Sequence, residues 1–194
     1  MVETIAPVVH GGRKAPYYAT VGLHAAGAGI AATIAGALFG ALGMVLGAPW
    51  GSLGIVLVVV VSVVYAAREL LALPIPLPER RAQVPDWWRT FYSPGTTALM
   101  YGAGLGAGFL TYLTYGTYVS VAALSVVSGD PVVGAVLCAP FGLARGLSVL
   151  VARRTIDTGP LVERLNDVAM TRHPSMVNGL MMLTVAGAGV VALL

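Results

Sequence analysis

TTALMYGAGLGAGFLTYLTYGTYVSVAALSVVSG, residues Thr96 to Gly129, is the stretch whose reading decides the fold. It holds no Asp, Glu, Lys or Arg. Glycines crowd its first half (Gly102, Gly104, Gly106 and Gly108) and tyrosines its second (Tyr112, Tyr115 and Tyr118). At about 1.5 Å per residue, a straight helix of this length would measure roughly 50 Å. The hydrocarbon layer is only about 30 Å thick. The segment must therefore tilt strongly, project from the membrane, or break. The neighbourhood of Gly116 is the expected break, with Thr111, Thr114 and Thr117 able to re-satisfy freed backbone groups. Broken helices at membrane depth are tolerated where they are buried in protein or line a cavity, and they often mark translocation sites.

The rest of the composition agrees with a membrane setting. The 194 residues are 57% hydrophobic and 10% charged, whereas soluble domains carry about a quarter charged residues. With 25 glycines, helices can approach closely through small faces. The net charge of +3, without a basic stripe interleaved with aromatics, gives no reason to expect nucleic acid. A single cysteine excludes an internal disulfide and a two-cysteine redox site within the chain. His10, His24 and His173 are too scattered for a metal-ligand spacing. No cofactor, metal site or catalytic residue is expected. The N-terminus lacks the basic-then-apolar layout of a cleaved signal peptide.

Taken in order, the chain reads as a polytopic all-α membrane protein of about five transmembrane helices. Residues 1–19 form a short cytoplasmic arm, broken by Pro7, Gly11, Gly12 and Pro16. Helices one and two occupy 20–71. The first carries the small pairs Gly36–Gly40 and Gly43–Gly47, so it belongs inside the bundle. The second is a β-branched run suited to lipid, closed by Arg68 and Glu69 at the interface. A basic linker, 72–95, carries Pro74, Pro76, Pro78 and Pro85, and its Trp87–Trp88 pair suits an element lying on the headgroups. Helices three and four, the core, occupy 96–152. A cytoplasmic amphipathic segment follows at 153–176, then a fifth helix at 177–194.

This layout passes a charge test. Arg13, Lys14, Arg68, Arg80, Arg81, Arg89, Arg153, Arg154, Arg164 and Arg172 all fall on one side. The opposite turns at 48–52 and 128–131 contain no Lys or Arg. That is a positive-inside distribution. It implies a bacterial-type plasma (inner) membrane protein with its N-terminus cytoplasmic and its C-terminus outside.

The one charge inside an expected span is Arg145. An intramembrane ionisable residue is a functional hypothesis by default. It could face a cavity, satisfied by carbonyls, a tyrosine hydroxyl or an anion. Equally, it could snorkel toward the cytoplasmic interface. Tyr112, Tyr115 and Tyr118 recur every three residues beside Thr111, Thr114 and Thr117. On a helix they would either line a cavity or bond neighbouring helices. Arg145, Tyr112, Thr114, Tyr115 and Tyr118 are thus the candidate substrate-binding set. Cys138 reads as inert packing, and Asp130 as a turn and helix cap.

Residues Tyr101 to Ala152 resemble the second half of the CcdA/DsbD transmembrane family, within the LysE-type exporter superfamily. Gly102, Gly104 and Gly108 and the FGLARGL segment (Phe141–Leu147) carry the resemblance, and GALFGALG (Gly36–Gly43) resembles the family's first-half helices. The resemblance implies inverted helical repeats around a central broken-helix site. The family's redox cysteine pair is absent, with tyrosine and threonine around 112–117, so thiol–disulfide transfer by this chain is not implied. Two functions follow. The first is a small-solute or anion transport component whose Arg145 favours a small anionic solute. The alternative is a non-catalytic membrane subunit or assembly partner of a larger membrane complex, docking partner subunits through glycine faces and the Trp linker. In both, the lipid bilayer is a partner.

Overall fold

The computed structural model describes residues 13–78, 87–109, 111, 113, 115–150 and 171–194. Every regular element among the described residues is helical: α1 (Lys14–Val45), α2 (Ser52–Leu71), α3 (Pro94–Gly106), α4 (Thr117–Ser128), α5 (Pro131–Leu147) and α6 (His173–Leu193), with a one-turn helix at Trp88–Phe91. Four stretches are long and apolar enough to cross a membrane: α1, α2, α5 with its continuation to Leu150, and α6. The expected count of five spans is therefore corrected to four. The stretch read as a third span is two short helices, of 13 and 12 residues. Gly102, Gly104 and Gly106 stay helical in α3, and the helix stops just after them, where Gly108 takes a left-handed φ of +68°. The described residues between α3 and α4 form turns and irregular backbone.

α1 is the spine. It packs against α5 and α3 along its length and against α4 near its end, while α2 and α6 pair with each other and lean on α4. Small residues set these contacts. A Cβ added at Gly36 would overlap the Gly134 carbonyl oxygen, and one at Gly134 would overlap that of Gly36. Nearer the start of α1, Gly102 and Gly106 of α3 press on the His24 and Ala28 carbonyls, and Gly142 of α5 also meets Ala28. In lipid there is no hydrophobic drive between helices, so such backbone approach is what dispersion forces need.

The order of these contacts fixes directions. Gly95 of α3 sits by Leu23, and Val126 of α4 by Gly43, so both half-helices run parallel to α1. Gly146 lies by Ala25 and Gly134 by Gly40, so α5 runs antiparallel. The starts of α1, α3 and α6 thus share one end of the bundle with the end of α5. Arg13, Lys14 and Arg172 lie at that end. At the other end the turns carry Asp130 as their sole charge. Asp130 caps α5, accepting from the Val132 and Val133 N–H groups at 2.7 and 3.2 Å, with Pro131 at the first helical position.

α1 begins at Lys14, earlier than the expected Thr20. Pro16 is tolerated because a first-turn N–H has no intrahelical partner to lose. Residues 1–12, the linker core 79–86 and the amphipathic segment 151–170 lie outside the described residues.

Candidate functional site

The break between α3 and α4 is built from glycine geometry and two opposite charges. Gly108 sits at φ +68°, the left-handed conformation that commonly ends a helix. It also touches the Tyr118 ring, leaving no room for a Cβ. Here the freed carbonyls at the end of α3 meet a cation. Arg145 on α5 donates from Nη1 to the Leu105 carbonyl at 3.0 Å. At the start of α4 the exposed N–H groups meet an anion. Glu69, in the last turn of α2, accepts from the Gly116 N–H at 3.0 Å. Gly116 has no side chain to cap with, and a Cβ there would strike the Tyr65 side chain at 2.7 Å. Each broken end thus carries the charge that its peptide dipoles favour, a contribution of about 0.3–2 kcal/mol apiece.

Glu69 corrects the sequence reading, which left it at the interface. It is 6% exposed and paired with its neighbour Arg68. Burial of a carboxylate in a spanning helix is tolerable only with such a partner and with hydrogen bonds to the remaining lone pairs. An Arg-Glu pair closing an apolar run was visible in the sequence, but nothing local announced Gly116 as its third member.

Around the break lies an aromatic cluster. Tyr118 is fully buried, its ring 4.5 Å from Phe141 and 4.9 Å from Phe109 (centroid to centroid), with Phe39 beyond. Leu113, Cys138 and Leu77 complete it. The Arg145 guanidinium carbon lies 5.9 Å from the Phe141 ring centroid, within cation–π range. Among the described residues the Tyr118 hydroxyl has no hydrogen-bond partner. The Cys138 thiol lies 3.6 Å from the Ser125 hydroxyl. Farther toward the basic end, the His24 Nδ1 donates to the Ala98 carbonyl at 3.1 Å, tying α1 to α3. On the other flank Thr117 donates to the Asn178 side-chain oxygen, which attaches α6.

The structure therefore gathers Arg145 and Tyr118 beside one another. Tyr115 lies in the break itself, half-buried and not helical, so the three tyrosines do not share one helix face. Tyr112 and Thr114 lie outside the described residues. Among the described residues no cluster of His, Cys, Asp or Glu could hold a metal ion. Arg145 reaches a carbonyl of α3.

Known proteins decide between the resemblance and its rivals. The curated proteins this chain matches are methylamine utilization proteins named MauF. It is 38% identical to that of Paracoccus versutus over 137 residues, covering 70% of this chain and 49% of the relative. To that of Paracoccus denitrificans it is 32% identical over 133 residues, 68% and 48%. To that of Methylobacillus flagellatus it is 33% identical over 132 residues, 66% and 46%. The chain spans about half the length of these relatives. No family model and no solved structure matches. The CcdA/DsbD resemblance is thereby overturned. Its motifs were small-residue spacings, which any closely packed membrane helices share, and here glycines serve α1–α3 and α1–α5 packing.

Proposed function

We propose that the chain is a non-catalytic accessory protein of methylamine utilization, embedded in the membrane and working through partner proteins. Similarity to the MauF proteins over about 70% of the chain carries this reading. Their name gives a pathway and no reaction. Small-solute transport, and with it an anionic solute at Arg145, draws no support from these relatives. The charges at the break also have internal partners, which suits a scaffold. In this reading Arg145, Tyr118 and Tyr115 shape the break rather than bind a substrate.

The finer topology belongs to the same proposal. α3 and α4 together complete one further crossing, because both run parallel to α1 and follow one another along it. The basic end faces the cytoplasm of a bacterial inner membrane, by the positive-inside rule.

The test is genetic and biochemical. Disrupting the gene in its host should abolish growth on methylamine while leaving growth on ammonium intact. Affinity-tagged chain from native membranes should bring down stoichiometric partner polypeptides. Normal growth on methylamine after disruption would overturn the pathway assignment. Partner-free recovery, with solute uptake by proteoliposomes of the pure chain, would restore the transport reading.

A further inference from the structure

We propose that Leu73–Pro78 is a strap latched across the helix break, and that the Arg68–Glu69 pair is its latch. Pro74, Pro76 and Pro78 hold this segment extended and remove alternate N–H donors, so it cannot fasten itself as a helix or strand. Side chains fasten it instead. Arg68 Nε donates to the Ile75 carbonyl at 2.8 Å, and the Tyr65 hydroxyl donates to the Pro76 carbonyl at 3.3 Å. Leu77 turns inward and packs on the Leu113–Tyr118–Cys138 cluster.

The same Arg68 guanidinium is paired with the Glu69 carboxylate, and Glu69 holds the Gly116 N–H. One line of polar contacts therefore runs from the strap, through the last turn of α2, to the first turn of α4. The prolines of the strap are exposed among the described residues. A segment with few buried contacts and few backbone hydrogen bonds opens before the bundle does. When the strap lifts, Leu77 leaves the cluster, and Cys138 and Tyr118 lose their cover on that side. Loss of either charge of the latch leaves the other unpaired in a low dielectric, which drives the strap toward the open state.

Cys138 is the sole cysteine and is fully buried, so it reports opening without any added probe site. The experiment measures the rate at which N-ethylmaleimide modifies Cys138 in intact membranes, read as a mass shift. Wild type should react far more slowly than the denatured chain. Glu69→Gln and Leu77→Ala should each raise the rate by about tenfold or more. Gly102→Ala obstructs the α1–α3 contact at the His24 carbonyl, away from Cys138, and sets the increase that general loosening produces, which the strap variants must exceed. Gly187→Ala, in open space on α6, should change nothing. If Glu69→Gln fails to accumulate, Leu77→Ala and Tyr65→Phe decide the matter. The proposal is overturned if the folded strap variants react no faster than Gly102→Ala, or if wild-type Cys138 reacts at the denatured rate. None of these outcomes depends on the methylamine assignment.

Discussion

Gly134→Ala and Gly187→Ala are the same chemical change on two spanning helices, and the structure gives them opposite signs. At Gly187 a new Cβ meets nothing within 4 Å. The change should be neutral or stabilising, up to the roughly 1 kcal/mol by which alanine exceeds glycine in helix propensity. At Gly134 the Cβ would overlap the Gly36 carbonyl oxygen and lie 3.0 Å from its carbon and 3.2 Å from the Gly40 nitrogen. The obstacles are backbone atoms of α1, so no rotamer change relieves them, and α5 must move away. Overpacking of this kind costs about 1–3 kcal/mol, and backbone obstruction argues for the upper end. Subtracting about 1 kcal/mol of propensity gain leaves a net loss near 2 kcal/mol. That is roughly a thirtyfold shift in the folding equilibrium. Reversible unfolding in mixed micelles, followed by circular dichroism, would measure both. Equal stability of the two variants would refute the claim that α1 and α5 meet backbone to backbone.

Other expectations follow from named contacts. Arg145→Gln should destabilise the protein by about 1–2 kcal/mol through loss of the charge-assisted bond to Leu105, with Arg145→Lys recovering part of it; thermal unfolding in detergent reads both. Asp130→Ala should cost about 1 kcal/mol by uncapping α5, in the same assay. A double-mutant cycle of Thr117→Val and Asn178→Ala should return a coupling of about 0.6 kcal/mol, typical of interhelical bonds in lipid. Single cysteines placed at the exposed Ser52 or at Arg172 in a Cys138→Ala background should react with impermeant maleimide in whole cells at position 52 only, if the basic end is cytoplasmic.

Much of the architecture was legible because it depends on composition and length. The apolar runs gave α1, α2, α5 and α6, and Asp130-Pro131 declared the turn and cap between α4 and α5. The excess length of the Thr96–Gly129 run over the bilayer left tilt, projection or a break, with the neighbourhood of Gly116 as the expected place for a break. The number of full-length spans was not legible, since two helices and a non-helical join have the same hydropathy as one long rod. The tyrosine face failed for a related reason: a period of three has meaning only if the helix continues through it, and at Tyr115 it does not. Glu69 was misplaced because burial is a tertiary property. Beside the adjacent Arg68, its second partner, Gly116, is forty-seven positions away. The family resemblance failed because glycine spacing reports close packing and not descent.

The close contact of Gly36 with Gly134 also bears on how the chain is made. Gly36 of α1 meets Gly134 only after nearly a hundred further residues have been synthesised. Until then its glycine seam must wait in lipid or against an insertion factor. Conversely, a chain severed between residues 78 and 87 would leave α1 and α5 on separate pieces still joined by that seam. Two such fragments, expressed together, should find each other and rebuild the bundle.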